Sequence, residues 1–167
     1  MINLTFDEFL KADFSLYKNN PIIHNPINSP VIADPSVLTP EISLDGKWHL
    51  FCHTFLGVYR YESSDGISFK NKGRVVPRAM RPNINLIDGK YYLFYERTKT
   101  LIGNGLSFLG AKWKSEIYCT ESEDLENWTK GKVVLTFPEN FKLFNTAVCK
   151  GDDGYVIAVE CGYAKDK

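Results

Sequence analysis

The sequence predicts an all-β chain built from repeated four-stranded units, the pattern of a β-propeller. Three observations predict it. Asp-Gly pairs recur at Asp45-Gly46, Asp88-Gly89 and Asp153-Gly154, each between apolar runs, where their tolerance of positive φ suits a hairpin. Each is flanked by similar strand patterns. Those before it are 33–38, 81–86 and 144–149; those after it are 47–53, 90–96 and 155–160. A second element also repeats. The run 58–69, with Ser63-Ser64-Asp65-Gly66-Ile67-Ser68-Phe69 at its end, matches 117–128, which ends in Ser122-Glu123-Asp124-Leu125-Glu126-Asn127-Trp128. Each copy reads as a strand, a Ser/Asp turn and an aromatic residue opening the next strand.

Taken in order, the chain opens on a short helical segment. Thr5-Phe6-Asp7-Glu8 fits a capping box, and Phe6, Phe9 and Leu10 share one helical face. Asn19-Asn20-Pro21 closes it, so residues 1–20 form an N-terminal helical segment and 21–167 a partial propeller. The Asp-Gly turns lie 43 and 65 residues apart. A glycine-containing insertion, roughly 99–113, accounts for the longer spacing and reads as a loop on the funnel rim. Units of about 40–50 residues with four strands each are what propeller blades require. Two full blades and two strands of a third give about two and a half blades, whereas propellers close with at least about four. The chain therefore reads as a fragment of a longer protein. If it is complete, its open sheet faces favour self-association.

Composition narrows the function. Of 167 residues 44% are hydrophobic and 14% aromatic, a globular and sugar-compatible composition. Lys plus Arg equals Asp plus Glu at 20 each, and no basic stripe is visible, which argues against a nucleic-acid partner. No run of 18 apolar residues exists, so no membrane-spanning helix is expected. The N-terminus lacks a basic patch followed by an apolar core, and a cytoplasmic protein is expected. Cys52, Cys119, Cys149 and Cys161 show no C-x-x-C spacing. The first three lie in apolar strand-like runs and read as buried reduced thiols. His24 and His53 lack a ligand cluster, so neither a metal nor another cofactor is expected.

The stretch Ala33-Asp34-Pro35-Ser36-Val37-Leu38, the Asp-Gly-Lys-aromatic hairpins and the turn at Ser63 to Phe69 resemble the five-bladed β-propeller glycoside hydrolases. The nearest relatives by this resemblance are glycoside hydrolase family 43 and its neighbours, families 32, 117 and 130. It covers roughly 21–167, about the N-terminal half of such a domain. The resemblance implies hydrolysis of glycosidic bonds in oligo- or polysaccharides, with a carbohydrate as partner. Asp34 matches the Asp of blade one that serves as base or nucleophile. The acid would be a Glu of blade three, here Glu160. Cleavage needs one protonated carboxyl at the leaving oxygen and one ionised carboxylate on the opposite ring face. By analogy with family 43, inversion is implied.

The resemblance breaks at Arg81-Pro82-Asn83, where family 43 would carry an Asp. Arg81 can instead bind a carboxylate or phosphate, which keeps phosphorolysis open. Glu96 and Glu160 are read in the same register of successive second strands, with His53 in that register in blade one. The plainer reading of the two glutamates is inter-blade pairing, for example with Arg97. Asn83 and Asn145, on inner strands, complete the residues expected to bind substrate. The rival readings are a non-catalytic carbohydrate-binding propeller, an interaction scaffold and an inactive truncated product.

Overall fold

The computed structural model describes residues 5–26, 28–98, 114–137 and 141–163. The insertion expected as a rim loop falls outside the described residues. Among these residues a helix, α1 (Phe6–Leu10), precedes ten strands. The first blade holds β1 (Ala33–Leu38), β2 (Trp48–Thr54), β3 (Gly57–Ser63) and β4 (Lys70–Pro77). The second holds β5 (Met80–Ile87), β6 (Lys90–Thr98), β7 (Ser115–Ser122) and β8 (Lys132–Leu135). Then come β9 (Phe141–Gly151) and β10 (Gly154–Tyr163). All neighbouring pairs are antiparallel, in the sheet orders β1-β2-β3-β4, β5-β6-β7-β8 and β9-β10. The first strands pack on one another, β1 on β5 and β5 on β9, which makes them the innermost strands. This is two complete blades and the first half of a third, as the repeats imply. Among the described residues no helix is long and apolar enough to cross a membrane.

Two local expectations change. The helix has its capping box, with Glu8 N–H donating to Thr5 Oγ1 at 3.3 Å and Thr5 N–H to Glu8 Oε2 at 2.8 Å. It nevertheless ends after Leu10, and its apolar face is unburied. A five-residue helix with no packed face has little to extend it. The Asp-Gly pairs also differ among themselves. Asp88-Gly89 forms the expected two-residue turn between Ile87 and Lys90, with φ of 48° and 77°. In the third hairpin Gly154 already pairs with Gly151, so the turn residues are Asp152 and Asp153. Asp45-Gly46 lies in a longer connection between β1 and β2.

The core is the interface between the first two blades. Leu38, Phe51, Val58 and Val76 of blade one pack with Ala79, Ile84, Tyr91, Leu93, Tyr95 and Leu125 of the second unit. Trp128, the aromatic residue at the end of the second Ser/Asp turn, sets its ring edge-on to Phe51 at 6.1 Å. Both Ser/Asp turns fold alike. Asp65 accepts from the N–H groups of Ile67 and Ser68 at 2.8 and 2.7 Å, and Asp124 from those of Glu126 and Asn127 at the same distances. Polar links also join the blades. Leu44 N–H donates to the Tyr91 hydroxyl at 2.9 Å, and buried Arg60 reaches across to Glu126.

The other face of blade one, with Leu50 and Cys52, is roofed by 20–23 over an open apolar pocket of about 520 Å³. All four cysteines are free. Cys52 is buried, which pushes its thiol up to about 12, but Cys149 is exposed rather than buried. Its strand lies in the last described sheet, where Tyr155, Val156 and Ile157 are exposed as well.

Gly57 opens β3 with φ 133°, and a Cβ there would fall 2.2 Å from the Val76 carbonyl oxygen. Gly57→Ala is expected to cost at least about 2 kcal/mol, because strain and a backbone clash act together. The midpoint of urea unfolding checks this, and an unchanged midpoint would contradict it.

Candidate active site

Both inner strands of the complete blades carry the same irregularity. In β1–β2 the pairs Ala33↔His53 and Ser36↔Phe51 leave Asp34 and Pro35 together opposite Cys52. In β5–β6 the pairs Met80↔Glu96 and Asn83↔Phe94 leave Arg81 and Pro82 opposite Tyr95. Proline has no N–H for a ladder, so a bulge accommodates it. The residue before it is ordinarily extended. Here Asp34 and Arg81 instead have φ of 51° and 49°, a strained left-handed conformation of the kind concentrated at functional sites.

The two bulges bring these side chains together. Asp34 Oδ2 lies 3.2 Å from His53 Nδ1 and 3.6 Å from Arg81 Nε. Arg81 Nη1 donates to Glu96 Oε2 on the other side. Its guanidinium stacks over the Phe144 ring, 5.2 Å from the centroid, so blades one, two and three all contribute. The Arg81 backbone N–H also faces His53 Nδ1, at 3.4 Å. One nitrogen cannot both accept that proton and donate to Asp34; of the two contacts only the one from the Arg81 N–H has hydrogen-bond geometry, so Nδ1 accepts there and Asp34 is a close electrostatic neighbour of the ring.

Burial sorts the members by role. The Asp34 side chain is 43% exposed, that of Arg81 28% and that of Glu96 0%. Burial pushes the Glu96 carboxyl up to about 7, against the pull of Arg81. Its Oε1 makes no hydrogen bond of good geometry, although the Ser115 hydroxyl lies near enough to oppose the shift. Burial also lowers the His53 imidazole, with Arg81 acting in the same direction and Asp34 opposing. The result is an accessible carboxylate flanked on one oxygen by His53 and Arg81, a neighbouring cation, and a covered carboxyl whose burial raises its proton affinity towards neutral pH.

The other expected residues divide. Asn83 Oδ1 accepts from Asn85 at 2.7 Å and from Val148 N–H at 3.3 Å, tying β5 to β9. Arg97 donates to the Pro77 carbonyl at 2.9 Å and stacks on Tyr95 and Tyr118, so it packs the blade. The partner of Glu96 is Arg81, not Arg97. Asn145 donates to Glu160 Oε2 at 2.8 Å on an exposed surface.

The expected register of Glu160 is off by one. A third bulge sits where Leu143 pairs with Cys161 and Thr146 with Val159. Cys161 therefore matches His53 and Glu96, while Glu160 matches Cys52 and Tyr95 opposite the bulge. The same alignment places Phe144-Asn145 in line with Asp34-Pro35 and Arg81-Pro82. It identifies Phe144, which reading the acidic residues alone does not find. Away from this cluster, Asp45, His49 and Glu62 bring ligand-type atoms within 4.8 Å of one another. Arg60 and Lys47 already engage them, at 3.2 Å to His49 Nδ1 and 3.2 Å to Glu62 Oε1, so the group is an ion-pair network.

This architecture is the fold of five-bladed β-propeller glycoside hydrolases, present here in part. A thermostable family-43 glycoside hydrolase superposes with a TM-score of 0.58 at 16% identity, over 77% of this chain and 41% of that one. An arabinanase from Bacillus subtilis gives 0.56 at 16%, over 75% and 46%. A family 117 glycoside hydrolase from Zobellia galactanivorans gives 0.52 at 14%, over 83% and 55%. The chain thus spans about half the length of these proteins, or less. No protein-family model matches the sequence, and no curated protein sequence matches it significantly.

Proposed function

We propose that the chain supplies the first blades of a glycoside hydrolase acting on an oligo- or polysaccharide. The observation that carries this reading is Asp34. It stands on the innermost strand of blade one, strained, accessible and flanked at Oδ2 by His53 and Arg81. That leaves Oδ1 to act on a water as general base. A general acid must reach the leaving oxygen. Glu96 is wholly covered behind Arg81, so among the described residues we assign the acid role to exposed Glu160, to which Asn145 donates. Base and acid on opposite sides of a ring with a water between them give inversion. Two solved neighbours point to the substrate class: an arabinanase from Cellvibrio cellulosa was determined with arabinohexaose, and a related enzyme from Xanthomonas citri with xylotriose.

The test is incubation of the protein with arabino- and xylo-oligosaccharides, following the anomeric protons of the first product by NMR. Release of the inverted anomer supports the reading. Binding without cleavage would leave a carbohydrate-binding propeller instead. A second reading, phosphorolysis, is favoured by the position of Arg81 beside Asp34. It predicts that cleavage requires inorganic phosphate and yields a sugar phosphate.

A further inference from the structure

Among the described residues Arg81 is the one cation of the candidate site, and it stands at the blade-two position equivalent to Asp34 in blade one. Its hydrogen-bonding fork is only partly used. The contact to Asp34 is 3.6 Å, too long for a good hydrogen bond, and Asp34 is open to solvent. Glu96 binds Nη1, and among the described residues Nη2 has no partner. The Phe144 ring fixes the guanidinium plane, and more than a quarter of the side chain is exposed. A planar, held fork of this kind matches an oxyanion.

We propose that Arg81 binds an oxyanion of the substrate beside Asp34, a sugar carboxylate or a phosphate, and that Glu96 takes up a proton as it binds. The inference rests on the carbohydrate reading of this site. The electrostatics require the proton. With Asp34 and Glu96 both ionised, Arg81 is outnumbered and an arriving anion is repelled. Protonating Glu96 removes one negative charge. Glu96 is suited to this, because burial already holds its carboxyl near neutrality. The groups facing it are Arg81 on β5, Ser115 on β7 and Asp34 across on blade one, with His53 in contact with Asp34 and Arg81. From β9 come Leu143, which bonds Ser115, and Phe144, with Lys142 further along. Glu116 on β7 is committed to Thr136 and Tyr118.

Isothermal titration of the full chain tests this, with glucuronate and galacturonate, with inorganic phosphate, and with neutral xylose and arabinose. An oxyanion is expected to bind with affinity rising about tenfold from pH 8.5 to 6.5, with proton uptake read from buffers of different ionisation heat. Glu96→Gln should keep the binding and flatten the pH dependence. Arg81→Gln should lose it, and Arg81→Lys should recover part. Glucuronate or galacturonate binding assigns the anion to the substrate sugar; phosphate binding assigns it to an attacking group. Neutral sugars binding as well as acidic ones, with phosphate silent, overturns the oxyanion site and leaves the carbohydrate reading standing. No sugar or anion binding at all overturns both. Anion binding unchanged in Arg81→Gln also overturns the proposal.

Discussion

Asp34→Asn is expected to lower the rate of glycoside hydrolysis about a thousand-fold, the loss of a general base at the reacting water. That corresponds to about 4 kcal/mol of transition-state stabilisation. The substitution is nearly isosteric, and an amide fits the same space beside the His53 ring, whose Nδ1 lies 3.2 Å from Asp34 Oδ2. What disappears is the charge that draws a proton from water. Sugar affinity should therefore change by less than about threefold, since the aromatic and hydrogen-bonding surface stays in place. The loss belongs in kcat, with KM nearly unmoved. A variant that retains activity within tenfold of the parent would remove Asp34 from the catalytic role. Equal loss of affinity and rate would make it a binding residue instead.

Much of this site was legible in the sequence because propeller repeats are written as repeats. Asp34-Pro35 and Arg81-Pro82 stand out by their place before matching hairpins, and proline already announces a break in each ladder. The bulges themselves were not legible. An extra residue on one strand changes no composition and little periodicity, yet it shifts every later partner by one. That is why counting along the sequence puts Glu160 in register with Glu96, whereas Cys161 holds that place. The partner of Glu96 was hidden for a related reason. Arg97 is its sequence neighbour, but adjacent strand residues point to opposite faces, and the guanidinium that reaches it comes from the preceding strand, β5. The helix failed differently. Its capping box is local and formed as written, but its length depended on a packing surface that local sequence does not encode.

The same burial that conceals Glu96 makes its titration measurable in stability. Its carboxyl is raised from an ordinary value of 4.5 to about 7 by burial, so the folded chain holds this proton more tightly than the unfolded chain does. Between those two values the folded state carries the extra proton, and stability falls as pH rises. Below the window both states are protonated and above it both are ionised, so the effect is flat outside. The full shift amounts to roughly 3 kcal/mol for a group with no exposed side-chain surface. His53 works in the opposite sense over part of the same range. Its pKa is lowered, so the unfolded chain takes up the proton first and stability falls as pH drops through the unfolded value. The wild-type curve alone therefore mixes two signs. Glu96→Gln separates them, because it removes the carboxyl, leaves His53 in place and keeps an oxygen for Arg81. Urea unfolding of both proteins from pH 5 to 8 should show the variant gaining on the wild type by roughly 3 kcal/mol as pH rises. Parallel curves would mean that Glu96 stays ionised in the fold, and Arg81 would then have no proton-linked partner to release it.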